Sequence, residues 1–238
     1  MRDTGRFIMV DGITGSGKST VLQAVQDWAV SCQHRIFRLQ DWNEPQPPRF
    51  EDLPEADVYF TYEPTRTWVG AAIRYELSRT DNPYGGEELA HAFALDRQIM
   101  YRRLILPALE AGKTVIQDRG VSSSIVYQPI MPNSVSLETI LSLPGNKLAL
   151  EHAPHSLVLT KLSATEAYER IANRADENKG VFADLNFLKQ QEERFASPWF
   201  RELFEQRGTS VFELDTSDTL DESRLRAKDL INHILTTA

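Results

Sequence analysis

Short apolar runs alternate along this chain with longer segments in which apolar residues recur every three to four positions. The run Phe7–Val10 is apolar throughout and has the length of a buried strand. From about Ser19 to Cys32, the apolar residues have the spacing of a helix with one buried face. Because this order of strand and helix continues along the chain, the pattern predicts an α/β fold in which helices cover both faces of a parallel sheet.

The same pattern sets approximate limits for the other elements, and we expect about five strands in the sheet. Further strands are predicted at Arg35–Leu39, which is short, Val58–Tyr62, Thr114–Gln117, Ser156–Leu162 and Val211–Leu214. Further helices are predicted at about Thr67–Arg79, Glu87–Gly112, Ala164–Arg174, Asp184–Arg207 and Glu222–Leu235.

Two stretches interrupt this alternation. Residues 40–56 contain four prolines and five acidic residues, which predicts a surface insertion. Residues from about 174 to 183 are charged, contain glycine and lie between two predicted helices. We expect this second stretch to be a helical lid.

The segment between the first strand and the first helix fits the pattern G-x-x-x-x-G-K-[ST]. Its glycines allow backbone N–H groups to point inward, and the helix N-terminus adds partial positive charge, so the loop suits a polyphosphate. Lys18 can reach the β- and γ-phosphates, and the Ser19 hydroxyl can ligate Mg²⁺. The pattern predicts a P-loop NTPase sandwich of three layers that binds ATP or another nucleoside triphosphate. The expected binding residues are Gly12, Thr14, Gly15, Ser16, Gly17, Lys18, Ser19 and Thr20.

Charged residues follow two of the other predicted strands. Glu63 comes directly after Val58–Tyr62, and Asp118 and Arg119 come after Thr114–Gln117. Ligands of open α/β sheets gather at the carboxyl ends of the strands, so these side chains are candidates for a site. Asp118 is suited to the water shell of Mg²⁺, and Arg119 to a phosphate group.

Composition narrows the functional classes. A formal charge of -8 and an isoelectric point near 5.2 argue against a nucleic acid polymer as partner, because phosphate backbones require a basic surface. The single Cys32 agrees with a reducing compartment, and the sequence contains no apolar stretch that would suit a membrane span. These features predict a cytoplasmic protein with one domain over residues 1–238, which binds small nucleotides.

Several motifs together resemble the thymidylate kinase family over nearly the whole chain. A GTPase would normally contain the guanine-binding motif Asn-Lys-x-Asp. The nearest match, Asn146–Ala149, lacks the aspartate, so the sequence does not indicate a GTPase. The matching segments, in order, are Val10-Asp11-Gly12, Glu63-Pro64, Thr67, Gly70, Ile73-Arg74, Phe93–Arg97, Leu106–Lys113, Asp118-Arg119, Ser123-Ser124, Tyr127-Gln128, Phe182 and Phe187-Leu188.

The resemblance implies transfer of the γ-phosphoryl of ATP to dTMP, a nucleoside monophosphate, with Mg²⁺ as cofactor. It implies that Phe93 stacks on the acceptor base and that Arg97 bonds the edge of that base. Arg74 and Arg119 would hold the acceptor phosphate, with Ser124 and Tyr127 near the base and sugar. Catalytic roles are implied for Lys18, Arg119 and the lid arginines Arg170 and Arg174, and substrate binding also for Glu63. Relatives of this kind are commonly homodimers through helices such as Glu87–Gly112, whereas the sequence itself leaves the oligomeric state open.

The chain departs from the family pattern at several positions. Thr14 stands where family loops usually carry an acid that contacts the acceptor sugar, and Gly120 stands where Tyr or His is usual. Asn178-Lys179 replaces the usual Asp-Arg pair of the lid. These departures affect the acceptor assignment more than the reaction.

Two alternatives remain open from the sequence. One is a deoxynucleoside kinase, because that family has Trp shortly after a Glu-Pro pair and Glu63-Pro64-x-x-x-Trp68 fits the spacing. Glu63 would then be the base that deprotonates a nucleoside 5′-hydroxyl. A regulatory P-loop ATPase would bind nucleotide without a small acceptor, but the arginines outside the loop argue against it.

Overall fold

One parallel sheet of six strands organises the protein. The computed structural model describes residues 5–79, 83–131, 133–173 and 184–236. The order of strands across the sheet is β2-β3-β4-β1-β5-β6, and every neighbouring pair is parallel. The strands are β1 (Arg6–Gly12), β2 (Ile36–Arg38), β3 (Val58–Tyr62), β4 (Thr114–Asp118), β5 (Ser156–Lys161) and β6 (Ser210–Asp215).

The central strands are apolar because helices cover both of their faces. Phe7, Met9 and Val10 of β1 are fully buried, as expected for the middle of a parallel sheet. The six strands agree with the expected number of about five. The strand predicted at Arg35–Leu39 is the three-residue edge strand β2, which pairs with β3, from Ile36 against Val58 onwards.

Eleven α-helices lie in the described part of the chain. They are α1 (Lys18–Ser31), α2 (Trp68–Ala72), α3 (Gly86–Met100), α4 (Leu106–Glu110), α5 (Val121–Tyr127), α6 (Leu137–Ser142), α7 (Pro144–Glu151), α8 (Ala164–Ala172), α9 (Leu185–Ala196), α10 (Pro198–Glu205) and α11 (Leu220–Thr236). Helices α1 and α11 cover one face of the sheet, while α3, α4, α5 and α10 contribute to the larger core on the other face.

The long helix predicted at Glu87–Gly112 is confirmed with one local change. Helix α3 continues through a π-helical segment, Tyr101–Ile105, into α4. A second π-helical segment, Ile73–Leu77, extends α2. Helices α5 to α7, which lie between β4 and β5, were not predicted.

The helix predicted at Asp184–Arg207 is in fact two helices. Ser197 is extended, with ψ 140°, and Pro198 begins α10. Proline has no N–H for a bond within the preceding helix but is well suited to the first position of a new one. The amphipathic pattern continued across this break, which is why periodicity alone missed it.

The predicted insertion at residues 40–56 is exposed over most of its length but is attached to the core. Pro47 and Pro48 are buried, and the carbonyl of Pro48 accepts a hydrogen bond from Nε of Arg103 at 3.3 Å. The ring of Phe50 packs on Tyr59, with 5.5 Å between ring centres. The insertion therefore contacts both β3 and the long helix.

Two further expectations concern the lid and membrane-spanning helices. The predicted lid at about 174–183, with Arg174, lies outside the described residues. Across the parts that the structure describes, we find no helix that is both long enough and apolar enough to cross a membrane.

Candidate active site

Three neighbouring strands bring the predicted site residues to one edge of the sheet. Strands β3, β4 and β1 are adjacent, and all three point the same way. Their carboxyl ends carry Glu63, the pair Asp118 and Arg119, and the glycine-rich loop. Residues that are far apart in sequence therefore meet at the place where α/β sheets bind ligands.

The glycine-rich loop has the backbone shape of a phosphate cradle. Gly12, Gly15 and Gly17 have φ values of +144°, +84° and +84°, which disfavour residues with a side chain. The hydroxyl of Ser16 bonds the Ile13 carbonyl at 2.7 Å. These features keep the loop curled in front of α1, whose N-terminus favours anions.

Lys18 lies against this loop and is buried. Its Nζ donates to the carbonyls of Gly12 and Ile13, at 3.0 and 2.7 Å. The ammonium is thus held at the mouth of the cradle, one residue before the exposed Ser19.

Ser19 and Asp118 line one cavity of about 270 Å³. Oδ1 of Asp118 is buried and has no hydrogen-bond partner among the described residues. Burial raises the pKa of Asp118, although the charges of Arg119 and Lys18 oppose that shift. A buried carboxylate oxygen without a partner, beside a serine hydroxyl, fits Mg²⁺ or the water molecules that Mg²⁺ retains.

A second cavity, of about 570 Å³, lies beside the loop and shares Arg74 with the first cavity. It is lined by all seven residues predicted to bind substrate, namely Glu63, Arg74, Phe93, Arg97, Arg119, Ser124 and Tyr127, and also by Thr14. Phe93 is half-buried and is not part of the described hydrophobic core, so its ring is available to a ligand. We call this space the acceptor cavity.

Arg97 lines the acceptor cavity and is 1% exposed, and we call the part of the cavity beside this buried side chain the closed end. Its Nη2 donates to Oε2 of Glu63 at 2.6 Å and to the hydroxyl of Ser124 at 3.0 Å. Its Nη1 donates to Oδ1 of Asn146. The other oxygen of Glu63 accepts from Nε2 of Gln117 at 2.8 Å. The buried cation is therefore balanced and held on two sides.

The pKa of Glu63 is raised from 4.5 to about 7. Burial is the main cause, since it penalises the charged carboxylate, and the nearby charge of Arg97 acts in the opposite direction. Glu63 is 6% exposed. This carboxyl group therefore changes charge close to neutral pH.

Arg119 lies at the other end of the acceptor cavity, next to the phosphate loop. Its Nη1 donates to the hydroxyls of Ser123 and Tyr127, both at 3.1 Å, and lies 3.4 Å from Oδ1 of Asp11. Burial acts to lower the pKa of Arg119, but its contacts with Tyr127, Asp11 and Asp118 outweigh burial and raise it. The guanidinium is firmly charged.

Arg74 connects the two cavities, because it lines both of them. Its Nε donates to the carbonyls of Pro64 and Thr65, each at 2.9 Å, and its guanidinium lies over the ring of Tyr62 at 5.3 Å. Within the described residues it has no carboxylate at salt-bridge distance. Burial lowers the pKa of Arg74.

Of the two lid arginines, only Arg170 lies in the described part of the chain. Its Nη2 donates to the carbonyl of Thr216 at 2.7 Å, beside Gly17 of the loop. Thr14, where an acid is usual, donates its N–H to Gln191 and lies with its hydroxyl 3.4 Å from that of Tyr127. Thr20 follows in the first turn of α1.

Three polar residues that organise the site were not predicted from the sequence. Asp11 accepts hydrogen bonds from Ser122, Ser123 and the N–H of Gly12, Gln117 bonds Glu63, and Asn146 bonds Arg97. Asp11 and Gln117 lie at strand ends, a position that could have marked them. Asn146 had no such signal, because it lies on a helix that was not predicted.

Comparisons with known proteins identify the family of this chain. Residues 49–225 match the family model described as thymidylate kinase. A probable thymidylate kinase of Pyrococcus abyssi is 32% identical over 177 residues, which cover 72% of each chain. A thymidylate kinase of Mesomycoplasma hyopneumoniae is 29% identical over 225 residues, which cover 91% of each chain. A probable thymidylate kinase of Methanococcoides burtonii is 30% identical over 207 residues, which cover 80% of this chain and 86% of the relative.

Proposed function

Because this chain belongs to the thymidylate kinase family, we propose that it transfers the γ-phosphoryl group of ATP to dTMP and releases dTDP and ADP. The observation that carries the proposal is the position of the acceptor cavity. It opens beside the phosphate loop and ends at Arg97, which is buried and fixed. Both substrates of a phosphotransferase can thus meet at one edge of the sheet.

Phosphoryl transfer requires mainly that the two substrates are correctly positioned and that positive charge surrounds the transferring group. The γ-phosphoryl and the acceptor phosphate repel each other, and charge spreads over the equatorial oxygens in the transition state. We assign neutralisation of the transferring group to Lys18, and the grip on the acceptor phosphate to Arg74 and Arg119. Ser19 and Asp118 are the residues that would hold Mg²⁺, which would supply further positive charge to the transferring group.

The closed end of the acceptor cavity suits a pyrimidine base. We assign stacking on the base to Phe93, and hydrogen bonds along its edge to Arg97 and Ser124. Tyr127, whose hydroxyl donates to the Gly12 carbonyl at 3.1 Å, stands between this end and the loop, where the sugar would lie. The alternating aromatic and polar groups fit a flat ring with hydrogen-bonding edges.

Further assignments concern the lid and the assembly. We assign Arg170 and Arg174 to the phosphates in a closed state that excludes water. A homodimer through the long helix remains a proposal. It is supported by Leu95 of α3, a large apolar side chain that is 48% exposed.

The deoxynucleoside kinase is not favoured. Both oxygens of Glu63 are already engaged by Arg97 and Gln117, which leaves the carboxylate poorly placed to take a proton from a hydroxyl. Trp68 is 55% exposed, does not line the acceptor cavity and contacts Arg103 instead.

A screen of ATP consumption against all common nucleosides and nucleoside monophosphates tests the proposal. We expect dTMP to give the highest kcat/KM. A preference for thymidine would favour the nucleoside kinase, and slow hydrolysis that no acceptor stimulates would favour the regulatory ATPase.

A further inference from the structure

Asn146 is a fully buried side chain with both ends engaged. Its Nδ2 donates to the carbonyl of Ile140 at 2.7 Å, and its Oδ1 accepts from Nη1 of Arg97. The Ile140 carbonyl needs a donor, which only the NH₂ group of the amide supplies, and the guanidinium of Arg97 needs an acceptor, which only the oxygen supplies. The two bonds together fix the orientation of the amide.

The helix that carries Asn146 lies unusually close to the helix that carries Arg97. A Cβ atom placed on Gly145 would lie 1.7 Å from the carbonyl oxygen of Ala94 in α3. Only glycine allows this approach of α7 to α3. Leu143, at the start of α7, packs with Ala94 in a small cluster of its own. The distance from Asn146 to Arg97 is therefore set by backbone contact.

The contacts of Arg97 define which of its donors remain for a ligand. A guanidinium has five N–H groups. One on Nη1 and two on Nη2 bond Asn146, Glu63 and Ser124, and the Nε group is buried without a partner among the described residues. The N–H of Nε and one further N–H on Nη1 therefore remain. Since Asn146 fixes Nη1, it also fixes the direction of the remaining donor on Nη1.

We propose that Asn146 is a positioning residue for the acceptor base, which acts through Arg97. Glu63 and Ser124 bond Nη2 and so restrain one corner of the guanidinium group. The bond to Asn146 provides the second fixed point and orients the guanidinium edge at the closed end of the acceptor cavity. The inference rests on the proposed function, in which Arg97 bonds the base.

The first test compares Asn146→Ala with Lys147→Ala, its exposed neighbour on the same helix. We expect Asn146→Ala to raise the KM for dTMP by about tenfold to a hundredfold, since a hydrogen bond to a charged group is lost. The KM for ATP should change by less than about twofold, and the preference for dTMP over dCMP should fall. Lys147→Ala should match the wild type. An unchanged KM for dTMP in folded Asn146→Ala would overturn the proposal.

The second test is a double-mutant cycle with Arg97→Ala. If Asn146 acts through Arg97, adding Asn146→Ala to Arg97→Ala should raise the KM for dTMP by less than about twofold more. Full additivity would show a merely structural role and overturn the inference while leaving the proposed function intact. An Arg97→Ala variant with a normal KM for dTMP would instead overturn the assignment of the base to Arg97, and the inference with it. Asn146→Ser, which leaves a smaller cavity, carries the same cycle if Asn146→Ala does not fold.

Discussion

Replacing Glu63 by glutamine tests how the buried carboxylate takes part in the reaction. Glutamine keeps the size of the side chain and one oxygen for Nη2 of Arg97. Its new NH₂ group would face Gln117, whose Oε1 is buried without a partner among the described residues. That oxygen can accept a hydrogen bond once the amide of Gln117 turns over. The variant should therefore fold and keep the network, without its negative charge.

The magnitude follows from the single charged hydrogen bond at 2.6 Å between Glu63 and Arg97. Making one partner neutral weakens such a bond by about 1 to 3 kcal/mol, or about fivefold to 150-fold in affinity. We expect this loss mainly in the KM for dTMP, because Arg97 is assigned to the base. Loss of a general base would instead lower kcat by about 10²- to 10⁴-fold.

The effect should also depend on pH. Because the pKa of Glu63 is raised to about 7, wild-type Glu63 is charged at pH 8.5 and largely neutral at pH 6. A neutral carboxyl resembles glutamine, so the two proteins should differ most at pH 8.5 and converge to within about threefold at pH 6. Steady-state kinetics with dTMP and with thymidine at these two pH values provide the measurement.

Two results would refute this reasoning. One is a difference between the proteins that does not change with pH, since the charge on Glu63 would then have no effect on the acceptor. The other is an almost inactive Glu63→Gln together with a wild type that prefers thymidine over dTMP. In that case Glu63 is the base of a nucleoside kinase.

Three further predictions follow from the same contacts. Lys18→Ala should fold normally and lower kcat by at least about a hundredfold to a thousandfold, because it removes a charge from the transferring group; normal turnover with dTMP and ATP would contradict the loop assignment. Arg97→Ala should raise the KM for dTMP and weaken base discrimination with little change in the KM for ATP, and equal damage to both constants would mean that Arg97 is structural. The raised pKa of Glu63 means that the folded protein holds a proton between pH 4.5 and about 7 that the unfolded chain has released. The free energy of unfolding should therefore fall by up to about 3 kcal/mol from this group as the pH rises through that window. Urea denaturation of Glu63→Gln should lack this part of the slope.

What the sequence revealed depended on how local each feature is. The phosphate loop and the strand ends are recognised from short runs of consecutive residues. Lys18, Glu63 and Arg119 could therefore be predicted to lie near one another, because the carboxyl ends of parallel strands meet at one edge of the sheet. The break at Pro198 was missed because the amphipathic pattern continues across it. Proline has no N–H and disrupts the interior of a helix, and at this position that effect outweighed the periodicity of the apolar residues.

Asn146 could not be found in the same way. Its role depends on a contact with Arg97 across 49 positions of sequence, made by two helices whose separation is set by Gly145. A glycine in a stretch for which no helix was predicted gives no sign of a helix contact. Asn146 itself matches the first position of the motif Asn-Lys-x-Asp, but the residues that follow exclude that motif. Long-range packing, rather than composition or spacing, makes this residue part of the site.

The distribution of charge in the acceptor cavity explains how a nucleotide would be oriented there. At the closed end, Arg97 is paired with Glu63, so a base meets directed hydrogen bonds without net charge when Glu63 is ionised. At the end near the loop, Arg74 bonds two carbonyls and has no carboxylate at salt-bridge distance among the described residues. Arg119 lies 3.4 Å from Oδ1 of Asp11. That end keeps excess positive charge. Coulomb attraction favours the dianionic phosphate at the end near the loop. Burial at the closed end costs a neutral base less hydration than it would cost the phosphate. The reverse orientation of dTMP is therefore disfavoured at both ends.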